Sequence, residues 1–94
     1  MPAYMVVQAE ITDPEKFPEY QKLAVPAVQK YNGKILGRGA PQNVEGHCGA
    51  HAVLVLEFES EEVAKAFFDS PEYTEARAAR ANTANFVMSI IPGA

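Results

Sequence analysis

The segment 60–80, SEEVAKAFFDSPEYTEARAAR, limits the possible folds of this chain more than any other, because it contains two helix starts in succession. Ser60 precedes two glutamates, which is typical of an N-cap followed by an acidic first turn. Ser70 precedes Pro71, and proline is favoured at the first position of a helix. The segment therefore predicts two helical pieces with a bend between them. Three side chains of the second piece share one face that can receive an anion, namely Tyr73, Arg77 and Arg80.

Another helix is predicted between residues 13 and 32. Asp13 is its expected N-cap and Pro14 its first residue. Apolar residues then recur at helical spacing over about four turns. Pro26 predicts a kink or a division into two pieces, because proline lacks the N–H that the helix needs. Gly33 is expected to adopt the left-handed conformation that ends many helices.

Four segments have the alternating or β-branched character of strands. They are residues 4–11, 34–39, 52–58 and 85–91. A glycine- and proline-containing connection follows the second of them, with a short strand extension expected near Val44. The order β-α-β-β-α-β predicts an α+β fold of the ferredoxin-like type, in which a four-stranded antiparallel sheet carries helices on one face.

The third and fourth strands are largely apolar on both sides, although helices can cover only one face of the sheet. A bare second face would be a large exposed apolar patch. We therefore expect a homodimer in which the two sheets pack face to face.

Composition excludes several classes of partner. The 94 residues suffice for a single domain, 1–94, with 48% hydrophobic and 21% charged residues. A net charge of -4 without a basic cluster disfavours nucleic acid and anionic membrane as partners. The longest apolar run, 52–56, is too short to cross a bilayer, and one cysteine excludes an internal disulfide. A soluble, cytoplasmic protein is expected.

Arg38 lies between two glycines in a predicted strand of a mostly apolar sheet. Its guanidinium group needs an anion there, because burying an unpaired charge is costly. Two partners stay open. Glu57 on the neighbouring strand can form an ion pair with Arg38. Alternatively, Arg38 binds a substrate carboxylate while Glu57 orients that substrate or acts as a base.

Three potential metal ligands, His47, Cys48 and His51, lie in the connection before the third strand. Their spacing matches no standard zinc motif, so no metal site is expected. His51 is a candidate general base, because the pKa of imidazole lies near neutrality. Ser70 is expected to cap a helix rather than act as a nucleophile, since no histidine is placed to activate it. Glycine-rich phosphate-binding patterns are absent, and no cofactor is expected.

Several short motifs together cover nearly the whole chain. They are Ile11-Thr12-Asp13-Pro14 with Phe17 and Tyr20, Tyr31-Asn32-Gly33-Lys34, Arg38-Gly39, Glu57-Phe58, and Phe68-Asp69-Ser70-Pro71-Glu72-Tyr73 followed by Ala76-Arg77 and Arg80. In these motifs the chain resembles the DUF1330 family, the domain of unknown function 1330, of the dimeric α+β barrel superfamily. The family usually has Arg-Gly-Gly where this chain has Arg38-Gly39-Ala40. The resemblance implies the ferredoxin-like fold and the dimer but no reaction, because the superfamily includes cofactor-free monooxygenases, isomerases and dehalogenases, haem enzymes and ligand-sensing modules.

These features predict a small homodimer that binds a small organic anion in a pocket near Arg38. The other candidates are, for ligand binding, Tyr73, Arg77 and Arg80 and, for catalysis, Glu57 and His51. Two alternatives stay open: a cofactor-independent isomerase or monooxygenase-like enzyme, and a structural or partner-binding dimer without a small-molecule ligand.

Overall fold

The computed structural model describes residues 1–94, which form four strands and three helices. The strands are β1 (Ala3–Ile11), β2 (Lys34–Gly39), β3 (Ala52–Phe58) and β4 (Ala84–Pro92). The helices are α1 (Phe17–Lys30), α2 (Glu61–Asp69) and α3 (Pro71–Ala79). None of the helices is both long enough and apolar enough to cross a membrane.

The four strands form one sheet in the order β2-β3-β1-β4, and every neighbouring pair is antiparallel. The helices cover one face of this sheet, so the molecule is a slab only 15 Å thick in its thinnest direction. This is the ferredoxin-like α+β arrangement, and the predicted fold class is confirmed.

The core lies between the sheet and the helices. Alternate residues of β1, beginning at Ala3 and ending at Ala9, are buried on the face toward the helices. The largest fully buried side chains are Tyr73, Phe58, Phe67, Met5 and Leu56. They come from two strands and two helices, which ties α2 and α3 to the centre of the sheet.

Ser70 explains why the second helical segment is divided. Its hydroxyl oxygen accepts the N–H of Tyr73 at 3.0 Å, and its O–H donates to the carbonyl of Phe67 at 2.7 Å. The residue thus ends α2 and begins α3, with extended backbone angles between the two. Ser60 caps α2 in the same way, accepting the N–H of Val63 at 3.1 Å. Both predicted caps are confirmed.

Helix α1 differs from its prediction at two points. It begins at Phe17 rather than Pro14, because the carbonyl of Asp13 accepts the N–H of Phe17 in a turn that precedes the helix. It also continues through Pro26 as one element. The carbonyl of Lys22, four residues earlier, loses its helical donor to this proline, but Lys22 is exposed and water can satisfy the group.

Gly33 follows α1 and is required there for close packing, whereas the sequence predicted a left-handed backbone conformation. The left-handed residue is Asn32, with φ 58°, a conformation that asparagine tolerates. A Cβ atom on Gly33 would lie 2.7 Å from Val28 Cγ1 and 2.9 Å from Phe58 Cε1. Gly33 is therefore needed for close packing against β3, and the prediction of its left-handed conformation is wrong by one residue.

Gly33→Ala is expected to lower the free energy of unfolding by about 1–3 kcal/mol, because the added methyl group displaces core side chains. Gly37→Ala is the matched control, since nothing lies within 4 Å of the Cβ position there. Urea denaturation measures both effects. Equal stability of the two variants would contradict the close approach at Gly33.

The sheet face away from the helices is bare and largely apolar. Its aliphatic side chains are Val6, Val53, Val55, Val87 and Ile91, which alternate along their strands with residues that face the helices. Val87 and Ile91 on the edge strand β4 are 59% and 47% exposed. The single chain therefore leaves uncovered the second face that the sequence predicted to be apolar.

Candidate functional site

A cavity of about 660 Å³ lies between α1 and the sheet. It exists because α1 packs against α3 and stands away from the strands beneath it. Of its 22 lining residues, 16 are hydrophobic. Its exposed lining residues lie on α1 from Gln21 onward, at Asn32 in the turn that follows, and on β2, which places the opening there. Cavities of this volume with a mostly apolar lining are typical of small-molecule sites in proteins.

Arg38 lies at this opening because β2 contains a β-bulge. In the pairing of β2 with β3, Lys34 lies opposite Glu57, and Arg38 lies opposite Leu54. The register shifts between Ile35 and Gly37. One extra residue reverses the alternation of side chains, so Lys34 and Arg38 face opposite sides of the sheet although they are four positions apart. Arg38 consequently faces the helices and lines the cavity.

The ion pair between Arg38 and Glu57, which the sequence left open, does not form. Glu57 lies on the open face, opposite Tyr4 of β1 and Lys34 of β2. Arg38 lies on the other face and makes no ion pair with any carboxylate. The ion pairs of the chain are Lys22–Glu19, Lys30–Glu72 and Lys65–Asp69.

The charge of the cavity lining is opposite in sign to that of the whole chain. Arg38 is the charged residue whose register position faces the cavity, whereas Lys34 also lines the cavity but lies at an open-face position opposite Glu57. No aspartate or glutamate lines the cavity. The chain itself has a net charge of -4. A cleft with apolar walls concentrates the field of its charged groups, so this one favours an anion over a cation.

The cavity is elongated across the sheet. Arg38, Leu54, Val7 and Met88 are paired in register on the four successive strands, and all of them line the cavity. Neighbouring strands lie about 4.8 Å apart, so the Cα atoms of Arg38 and Met88 are separated by about 14 Å. The opening beside β2 and the inner end beside β4 are therefore far enough apart to contact opposite ends of one ligand.

Two tyrosines form the inner end of the cavity. The hydroxyl oxygens of Tyr20 on α1 and Tyr73 on α3 are 2.6 Å apart. The hydroxyl of Tyr73 also lies 3.4 Å from the thioether sulfur of Met88. Burial raises the pKa of both phenols above the ordinary value. Both hydroxyls are therefore neutral at physiological pH and able to donate hydrogen bonds.

The helix face predicted from Tyr73, Arg77 and Arg80 is divided by the structure. Only Tyr73 lines the large cavity. The Arg80 guanidinium lies 3.9 Å from the ring centre of Phe86, behind the two tyrosines, and lines a smaller cavity of about 320 Å³. Arg77 stacks on Phe68 at 4.3 Å and lines neither cavity.

The candidate catalytic residues lie outside the large cavity. The Nδ1 atom of His51 accepts the backbone N–H of Ile11 at 3.2 Å, and the backbone N–H of His51 donates to the carbonyl of Ala9 at 2.8 Å. These bonds hold the loop 40–51 to the end of β1. Glu57 faces the opposite side of the sheet, and neither residue lines the cavity. The loop contains bends, and the expected strand extension near Val44 is absent.

No group of three or more histidine, cysteine, aspartate or glutamate side chains lies close enough to hold a metal ion. His47 is exposed, and the Cys48 sulfur lies 3.9 Å from the side-chain nitrogen of Gln8.

Sequence reasoning assigned only Arg38 and Tyr73 of the lining residues to a site, and it missed Tyr20 and Met88 at the inner end. Tyr20 carried the clearest signal, since a tyrosine within the apolar stripe of α1 buries a hydroxyl that needs a partner. Its partner is 53 positions away in the chain, which no local pattern shows.

The fold and the motifs agree with a defined class of protein, the ferredoxin-like α+β domains. The chain belongs to the DUF1330 family, described as a domain of unknown function, whose model matches residues 2–94. The predicted family is thereby confirmed. No curated protein shows significant sequence similarity to the chain.

Several solved structures share the fold. A protein of unknown function from Rhodopseudomonas palustris has a TM-score of 0.81 and 16% identity, over 99% of this chain and 82% of that one. A dimeric ferredoxin-like protein of unknown function from Jannaschia has a TM-score of 0.75 and 9% identity, over 99% and 100% of the two chains. SnoaB, a cofactor-independent oxygenase from Streptomyces nogalater, has a TM-score of 0.71 and 7% identity, over 99% and 93%. At these identities the likeness shows the fold alone.

Proposed function

We propose that this protein is a homodimer whose subunits each bind a small organic anion in the cavity between α1 and the sheet. The observation that carries the proposal is an apolar cavity of about 660 Å³ toward which Arg38 faces and which no carboxylate lines. Arg38 presents a planar set of donors that matches a carboxylate, and no acidic residue of the chain occupies it.

Each candidate residue then has a distinct place. Arg38 binds the anionic group at the opening, and Tyr73 belongs to the inner wall. Arg80 packs against the rings of Tyr20 and Tyr73 and affects the ligand only through these two side chains. Arg77 stacks on Phe68 outside the cavity and makes no contact with the ligand.

The second copy is proposed to cover the open face of the sheet. The four strands have 9, 6, 7 and 9 residues. At about 3.3 Å per residue and about 4.8 Å between strands they form a flat face of roughly 500 Å². Side-chain relief brings the accessible area of such a face closer to the about 800 Å² per partner of a standard interface. Aliphatic residues occupy the middle of this face. Similar folds from Bacteroides fragilis and Jannaschia are described as dimeric, which supports the same assembly here.

Arg38→Ala is expected to weaken the binding of decanoate by about 10- to 100-fold, because a hydrogen-bonded charge contributes about 1.5–3 kcal/mol. Isothermal titration calorimetry measures the change. Arg77→Ala removes the same group outside the cavity and should leave the affinity unchanged. Equal affinities of wild type and Arg38→Ala would contradict the proposal.

Wild type and Arg38→Ala also distinguish ligand binding from the alternative, a cofactor-independent isomerase or monooxygenase. Turnover of a bound carboxylate or phenolic compound that Arg38→Ala abolishes would make the protein an enzyme. Binding without turnover supports the binding function. The absence of a thermal shift with every carboxylate and phenolic compound supports the third alternative, a structural or partner-binding dimer.

A further inference from the structure

The paired hydroxyls at the inner end of the cavity have two possible hydrogen-bond arrangements. The distance of 2.6 Å between the oxygens of Tyr20 and Tyr73 allows either one to be the donor. In the first arrangement Tyr20 donates to Tyr73, and Tyr73 donates to the sulfur of Met88 at 3.4 Å. In the second, Tyr73 donates to Tyr20, and the O–H of Tyr20 is free to point toward the cavity. Each phenol keeps its own proton in both.

Exchanging the first arrangement for the second costs little. The bond between the two oxygens is kept, and only the bond to Met88 is lost. A thioether sulfur is a weak acceptor, so an oxygen acceptor in the cavity compensates for that loss and adds a stronger bond. Of the two phenols, Tyr20 is the more accessible, with 9% of the residue exposed against 1% for Tyr73. Tyr20 is therefore the donor that a ligand can reach.

The surroundings of the pair favour an oxygen acceptor. The Arg80 guanidinium lies 5.6 Å from the ring centre of Tyr20 and 5.9 Å from that of Tyr73. Its positive charge attracts the partial negative charge of an acceptor oxygen placed near the hydroxyls. No carboxylate lines this part of the cavity to neutralise that charge.

Resting on the proposed function of the cavity, we propose that its ligands are elongated apolar oxo-carboxylates, which contact both ends at once. The carboxylate binds Arg38, and a carbonyl oxygen at the far end accepts a hydrogen bond from Tyr20. Strand spacing sets the length, since about 14 Å between the Cα atoms of Arg38 and Met88 leaves a span on the order of 10 Å once the side chains extend inward. The remaining walls are apolar and suit a hydrocarbon body.

Two acids of equal length test this inference: decanoic acid, and oxodecanoic acid with its ketone next to the terminal methyl group. Wild-type protein is expected to bind the oxo acid about 3- to 10-fold more tightly, the value of one neutral hydrogen bond. Calorimetric titration gives the ratio of the two affinities for each protein. A substitution that weakens both acids by the same factor leaves this ratio unchanged.

Three variants test which side chain produces the preference for the oxo acid. Tyr20→Phe should abolish it, making the two affinities equal. Tyr73→Phe should retain or increase it, because the proton of Tyr20 then has no competing acceptor. Arg38→Ala should weaken both acids by the same factor and leave the ratio intact. The two tyrosine variants remove the same atom type and predict opposite results, and circular dichroism checks the fold of each.

The possible failures are distinguishable. If wild type binds both acids equally, or if Tyr20→Phe keeps the preference for the oxo acid, the oxo-carboxylate class is wrong while the anion site at Arg38 stands. If neither acid binds, or if Arg38→Ala has no effect on either, the proposed function is wrong and the ligand class is overturned with it.

Discussion

Val55→Asp is expected to convert the proposed dimer into monomers. Val55 lies on β3 in the middle of the open face, where its register partner on β1 is Val6. In a dimer that packs these faces together, the new carboxylate is buried against apolar side chains without a partner. Burial of an uncompensated charge at the centre of an interface costs more than the contact gains. Sedimentation velocity at micromolar concentrations should show the molecular mass of one chain instead of two.

Val44→Asp is the matched control for this substitution. It introduces the same charge at a loop position that is 95% exposed, and it should leave the mass unchanged. Circular dichroism distinguishes a folded Val55→Asp monomer from an unfolded chain. A wild-type protein that is monomeric at micromolar concentration, or a Val55→Asp variant that remains dimeric, would contradict face-to-face packing of the sheets.

Most of the fold could be predicted from the sequence because its signals are local. Ser60 and Ser70 define two helix starts through hydrogen bonds that span three residues. The second and third strands have the predicted bounds, and the first and last differ by one residue at their ends. Where local signals failed, as at the start of α1, the cause was a turn whose sequence resembles the first turn of a helix.

The cavity could be predicted less well because it depends on contacts between distant segments. In a regular strand, Lys34 and Arg38 would point to the same side of the sheet, because they are four positions apart. Glu57 would then be an obvious partner for Arg38. The bulge reverses this, but its position follows from how β2 pairs with β3 rather than from the residues of β2 alone. Likewise, the face shared by Tyr73, Arg77 and Arg80 was visible in the helical spacing, whereas the packing of α3 against α1 determined which side chain reaches the cavity.

Phe67→Ala is expected to cause the largest loss of stability in the chain. Phe67 is 1% exposed, and its ring centre lies 4.5 Å from that of Tyr73 and 5.2 Å from that of Phe58. Truncation of a buried phenylalanine costs about 3–5 kcal/mol, through lost transfer free energy and the cavity left behind. A domain of this size has a total stability of about 5–15 kcal/mol, so the variant approaches the limit of folding.

Phe68→Ala supplies the control, because it deletes the same group from the next position of α2. Phe68 is only partly buried and stacks against the guanidinium of Arg77 at 4.3 Å. Part of its surface remains in contact with water in the folded state, so its truncation is expected to cost about half as much. Urea denaturation of the two variants gives the difference in unfolding free energy. Equal losses would show that α2 does not rest on the sheet through Phe67, and the aromatic support beneath Tyr73 at the inner end of the cavity would then be placed incorrectly.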